Sequence, residues 1–268
     1  MVSISQALGS VARGIGRGIH DSYRLGGKTM IVAPAIVALV VVPEFVQHIV
    51  EITMGMFDSR ATAHVLAQSP LRWDFGYVKL AGFLLAMIFT ARLWAMDGSV
   101  SRAVRIAPLA LGLIILSIAV FMFVGFGIQI AGRAIGPRAE ALALIVSGVL
   151  QLMVIVWVVG QVIEDHTVTL WGSLTSYVPT AGVMAILLFA AFAPSQALHG
   201  LDHKLAMEQP RAIVWALMTF DALVVGLLAA LVGSAMFVGY RLRPTWRGWS
   251  DKLRPAREYP RSSGSARV

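Results

Sequence analysis

The chain contains no cysteine, which excludes disulfides, thiolate-bound zinc, iron–sulfur clusters and cysteine nucleophiles. Charge is scarce as well. Only 13% of the 268 residues are Asp, Glu, Lys or Arg, about half of what a soluble domain carries to stay dispersed. Acids are rarer than bases, 14 against 22, and the formal net charge is +8. The bases sit at the chain ends and between apolar runs and form no aromatic-interleaved surface, so anionic lipid headgroups are their expected partner and nucleic acid is not. No Walker loop, G-x-S-x-G elbow or kinase signature occurs, which leaves phosphate-cradling and serine-hydrolase chemistry without support. The first 28 residues lack the apolar stretch and cleavage site of a secretory signal peptide and are expected to stay in the mature chain.

Apolar residues fill the space left by these absences. They make up 57% of the chain, and the mean hydropathy is +0.76, too high for a surface facing water. About 20 apolar residues cross a hydrocarbon core of about 30 Å. Runs of that length occur at residues 29–56, 75–97, 106–132, 139–163, 176–198 and 212–240. The fold class expected is all-α, a polytopic membrane bundle of about six transmembrane helices over residues 29–240. Lys79 and Arg92 lie near the ends of the second run, where long side chains are expected to extend to the headgroups.

An even number of crossings puts both termini on one side. With the ends inside, 15 of the 22 bases fall on the inner side and seven on the outer, and that bias places the termini in the cytoplasm. A bacterial inner (plasma) membrane is the expected location. Residues 95–104, AMDGSVSRAV, resemble residues 206–213, AMEQPRAI, and the first and fourth runs start at residues 29 and 139, which leaves room for a 3+3 repeat, residues 29–132 and 139–240, related by inversion.

Residues 1–28 precede the first run. Ile4, Leu8, Val11, Ile15 and Ile19 share one helical face with Arg13 and Arg17 elsewhere, the pattern of an amphipathic helix lying in the membrane interface. Residues 241–268 form a basic, largely disordered tail carrying eight bases and two acids. Its Arg241, Arg243, Trp246, Arg247 and Trp249 suit the headgroup zone and are expected to contact anionic lipid. On the last run, Ala222, Gly226, Ala230 and Ser234 recur every four residues beside Ala229 and Gly233. Such a stripe serves close helix packing, within the chain or in a homo-oligomer.

Ionisable residues inside apolar runs are the candidates for chemistry, because their burial in hydrocarbon is costly. The segment PEFVQHIVE places Glu44, His48 and Glu51 at i, i+4 and i+7, one polar stripe on a helix. A carboxylate as deep as Glu44 needs a cationic partner or a proton. Asp221 lies about 13 Å into the last run, near the midplane, and is expected to share a proton or a cation with Glu44. The segment HGLDH, expected in the fifth connection, sets His199 and His203 one turn apart with Asp202 beside them. That spacing directs two imidazoles at one metal ion. The first and fifth connections fall on the same side, so His48, Glu51, His199, Asp202 and His203 form a candidate set for a divalent metal ion, with Glu208 and His64 in reserve.

Two functions fit these residues. One is a non-enzymatic transporter-like or membrane-complex assembly subunit whose stripe of Glu44, His48, Glu51 and Asp221 handles a proton, cation or small solute. The other is a metal-dependent membrane enzyme with Asp202 or Glu44 as base.

Overall fold

The computed structural model describes the backbone of residues 4–242, and the side chains of residue 9 and of residues 11–242. Ten helices and no strand occur among the described residues: α1 Ile4–Val32, α2 Pro34–Thr53, α3 Arg60–Leu66, α4 Pro70–Ala95, α5 Val100–Val104, α6 Pro108–Ile135, α7 Pro137–Val162, α8 Leu170–Thr175, α9 Val178–Ala206 and α10 Arg211–Leu242. Six of them, α2, α4, α6, α7, α9 and α10, are long and apolar enough to cross a membrane.

Proline sets where most of these begin. Pro34, Pro70, Pro108, Pro137 and Pro179 each stand in the first two positions of a long helix, where the missing N–H has no helical partner to lose. Pro43 and Pro194 instead lie within α2 and α9. A five-residue π turn, Phe123–Gly127, interrupts α6.

The last helix is the axis of the bundle. In α10, 89% of the most apolar window is buried, against 22% in α6. Small residues make this possible. A Cβ on Gly226 would stand 2.4 Å from Val41 Cγ2 of α2, and one on Gly233 would stand 2.5 Å from the Met87 carbonyl oxygen of α4. The small-residue stripe therefore faces α2 and α4 of the same chain.

Two consecutive helices run antiparallel along this axis. A Cβ on Gly18 would touch Leu187 and Leu242, a Cβ on Gly26 would meet Leu231, and His48 of α2 reaches Asp221. Ser22 and Thr29 are buried, each donating its hydroxyl to a carbonyl one turn back. The second half of α1 thus packs against the bundle, and the break before α2 comes at Ala33 and Pro34. Ile4 and Leu8 of the proposed amphipathic face lie outside the described side chains, as Arg243, Trp246, Arg247 and Trp249 of the tail lie outside the described residues.

Arg92 corrects another expectation. It does not extend to the headgroups, being fully buried and turned inward at the end of α4. Its guanidinium donates to the carbonyls of Ala103, Val162 and Arg105 at 2.7, 2.7 and 3.1 Å, and to Glu164 Oε1 at 2.8 Å. One side chain thereby closes open carbonyls at the C-terminal ends of α5 and α7.

Candidate functional site

At the end of the bundle opposite Arg241, four helices bring their ionisable residues together. On α2, Glu44, His48 and Glu51 share one face with Gln47, and all four are buried. On α10, Asp221 is the single acid of a long apolar helix and is fully buried. On α9, His199, Asp202 and His203 are helical, which overturns their placement in a connecting loop. Nothing in HGLDHKLA breaks a helix, and the first break comes at Met207, before Pro210. On α4, Arg72 and Lys79 sit two turns apart and point at the cluster.

His48 and Asp221 form the centre. His48 Nε2 lies 2.9 Å from Asp221 Oδ2 and 3.3 Å from Glu44 Oε1, and its Nδ1 lies 3.0 Å from Glu51 Oε2. His199 Nδ1 lies 2.7 and 2.8 Å from the two oxygens of Asp221. His203 Nε2 is 3.4 Å from Asp221 Oδ2, a longer contact than those of His48 and His199. The rings of His48 and His203 are 5.3 Å apart by centroid, and those of His199 and His203 are 4.8 Å apart. The stripe on α2 and the histidines of α9 are therefore one cluster.

Cations close the other side. Lys79 Nζ donates to Glu44 Oε1 at 3.3 Å and lies 3.1 Å from Oε2. Arg72 Nε donates to Glu51 Oε1 at 2.8 Å, and Gln47 Nε2 donates to the same oxygen at 2.9 Å. Lys79 thus turns toward Glu44 and not to the headgroups. Arg72 is not among the sequence candidates, although the need of a deep carboxylate for a cation points to such a residue. Glu44, Glu51, Asp202 and Asp221 together carry four formal negative charges against the two positive charges of Lys79 and Arg72. Among the described residues, the hydrogen-bond and ion-pair partners of Asp221 are imidazoles.

Three overlapping triads bring donor atoms within 4.8 Å of one another: His48, Glu51 and His203; His199, His203 and Asp221; and Glu44, His48 and Asp221. Asp202 joins none of them. It is buried and close enough to Asp221 and both histidines to interact electrostatically, and its Oδ2 has no hydrogen-bond partner among the described residues. The reserves fall away, since His64 and Glu208 are exposed and belong to no triad. His199 and His203 keep 19% and 24% of their side chains exposed, so the cluster reaches the surface of the bundle along α9. A charge at the centre of a membrane-spanning helix costs on the order of 3 kcal/mol before pairing, and here cations and imidazoles stand against the buried carboxylates of Glu44, Glu51 and Asp221.

Of the lipid-contact candidates, Arg241 is described. It is exposed, with its guanidinium 5.5 Å from the Phe237 ring centroid. Comparison with known proteins adds no family: no protein-family model, no curated protein and no solved structure matches the chain.

Proposed function

We propose that this chain is an integral membrane protein that holds one divalent transition-metal ion within its helical bundle, on His48, His199, His203 and Asp221. The carrying observation is the position of Asp221, whose carboxylate stands 2.7–3.4 Å from one nitrogen of each of three histidines from two other helices. Donors around a tetrahedral ion at about 2.0–2.1 Å are about 3.3 Å from one another, so small side-chain shifts admit the ion. Imidazole with carboxylate suits zinc, iron or another borderline divalent cation.

The surroundings support the same reading. Glu51 Oε2 sits 3.0 Å from His48 Nδ1, and a carboxylate on the far nitrogen is how metal-bound histidines are oriented. That leaves Nε2 for the ion and makes Glu51 an orienting group. The charge inventory agrees, because one dication balances the two formal negative charges left over by Lys79 and Arg72.

A second reading rests on the chain of contacts from Lys79 through Glu44, His48 and Asp221 to His199. In it, the same stripe passes a proton or cation, and Glu44→Gln and Asp221→Asn abolish flux in reconstituted vesicles. Elemental analysis of the full chain, purified in detergent without chelator, separates the two. We expect about one bound transition-metal ion per chain, lost in His203→Ala and Asp221→Asn variants that elute as the parent does. Less than one ion per several chains rejects the metal reading.

A further inference from the structure

A second polar cleft lies at the opposite end of the bundle. It has a volume of about 360 Å³ and is bounded by Asp21, Arg24 and Leu25 of α1, Trp94 at the end of α4, and Phe237 and Arg241 of α10. We propose that this cleft binds the phosphate headgroup of an anionic phospholipid. Its walls divide as such a ligand divides. Leu25 and the buried Phe237 form an apolar floor, and the exposed guanidinium groups of Arg24 and Arg241 stand at the rim.

The rim cations have capacity for an anion. No carboxylate pairs with Arg241 among the described residues, and Arg24 Nε meets Asp21 Oδ1 only at 3.6 Å, an oxygen that His20 also approaches at 3.6 Å. Arginine's planar fork suits a phosphate in two-point contact. Lys28 adds a third cation, its Nζ 5.5 Å from the Trp94 ring centroid. The indole is fixed by donating Nε1–H to Thr29 Oγ1 at 3.0 Å, and an anchored tryptophan is typical of headgroup depth.

The observations favour lipid over the two other occupants. The chain's own residues 243–268 carry seven bases and two acids, a charge of the same sign as the rim, which disfavours them as occupants. A free phosphate would use the rim alone. A lipid also uses the helix face below it, since Arg24, Lys28, Ile31 and Val32 are all exposed, with Ile31 at 81%. Their spacing of four, three and one continues the cleft along one face of α1, from the cationic Arg24 and Lys28 to the apolar Ile31 and Val32.

Native mass spectrometry of the full chain, delipidated in neutral detergent and offered equal phosphatidylglycerol and phosphatidylcholine, tests the site. We expect one phosphatidylglycerol retained per chain under activation that strips phosphatidylcholine. The double variant Arg24→Gln, Arg241→Gln weakens this retention roughly thirtyfold, at the strength of two bases near an anionic surface. Arg241→Lys keeps it, and so does Arg133→Gln, a change at a base paired with Glu140 away from the cleft. Equal retention in the double variant overturns the proposal, as does equal retention of the two lipids. Displacement of the lipid by millimolar glycerol 3-phosphate overturns the assignment to lipid and leaves an anion site.

Discussion

His48 Nε2 and Asp221 Oδ2 lie 2.9 Å apart across 173 residues of sequence. The contact exists because α2 runs antiparallel to α10 in a register that close packing at Gly226 fixes one and a half turns away. Both groups are fully buried, so their interaction is felt at low dielectric. In a double-mutant cycle of His48→Gln and Asp221→Asn, read by reversible unfolding in mixed micelles, we expect a coupling energy of about 1.5–3 kcal/mol, the range for a hydrogen bond to a charged group. Additive effects would show that the two residues do not meet.

Glu51 offers a finer test of the metal centre. It touches His48 Nδ1 and is itself held by Arg72 and Gln47, so Glu51→Gln keeps all four proposed ligands and disturbs one ring orientation. Loss of an orienting carboxylate lowers metal affinity by about 10–100-fold. Competition with a chelator of known affinity measures this. If Glu51 were itself a ligand, stoichiometric binding at ordinary concentrations would fail; an unchanged affinity would remove Glu51 from the site.

Arg92 has a structural role at the other end. Its guanidinium serves three backbone carbonyls and one carboxylate at once, and removal leaves buried acceptors empty. Arg92→Ala is expected to lower unfolding stability by about 3 kcal/mol. Arg92→Lys should recover less than half of that, because a single ammonium cannot span the forked set. Full rescue by lysine would mean that charge alone matters there.

Much of this architecture is legible in the sequence. The six apolar runs anticipate the six long helices, whose starts the prolines at 34, 70, 108, 137 and 179 displace by a few residues, and the spacing of Glu44, His48 and Glu51 defines one helical face. The histidines of HGLDH are expected as partners of His48 and lie against it. Their helical state is harder to read, because the drop in hydropathy after Leu198 resembles a helix end, while helical hydrogen bonding continues through polar residues until a breaker intervenes. The inward turns of Arg72, Lys79 and Arg92 are illegible for a different reason. A long side chain near a helix end can reach headgroups or a buried acceptor, and only the neighbouring helices decide which. The packing of α1 on α10 is likewise a property of two surfaces that no single segment reveals.

Glycine positions separate close packing from open helix surface. Gly226 faces Val37 and Val41 with a prospective Cβ 2.4–2.9 Å away, whereas Gly148 has nothing within 4 Å. Gly226→Val is therefore expected to cost about 1–3 kcal/mol through overpacking. Gly148→Ala should be neutral or stabilising by up to about 1 kcal/mol, since alanine is the better helix former. Thermal melts of both variants in one detergent check the pair, and equal effects would contradict the central position of α10.

Orientation can be tested cleanly because the chain has no cysteine of its own, so any single introduced thiol reports one place. Asp58 lies exposed between α2 and α3, and Ser101 lies exposed on α5, at opposite ends of the bundle. The bias of Lys and Arg predicts the Ser101 end inside, since loops rich in bases resist translocation. With a membrane-impermeant maleimide on intact spheroplasts, Asp58→Cys should label at once and Ser101→Cys only after lysis. Labelling of both from outside would break the even count of crossings. A reversed pattern would keep the helices but put the opening beside His199 and His203 on the cytoplasmic side, so that any ion reaching the cluster would come from the cell's own metal pool.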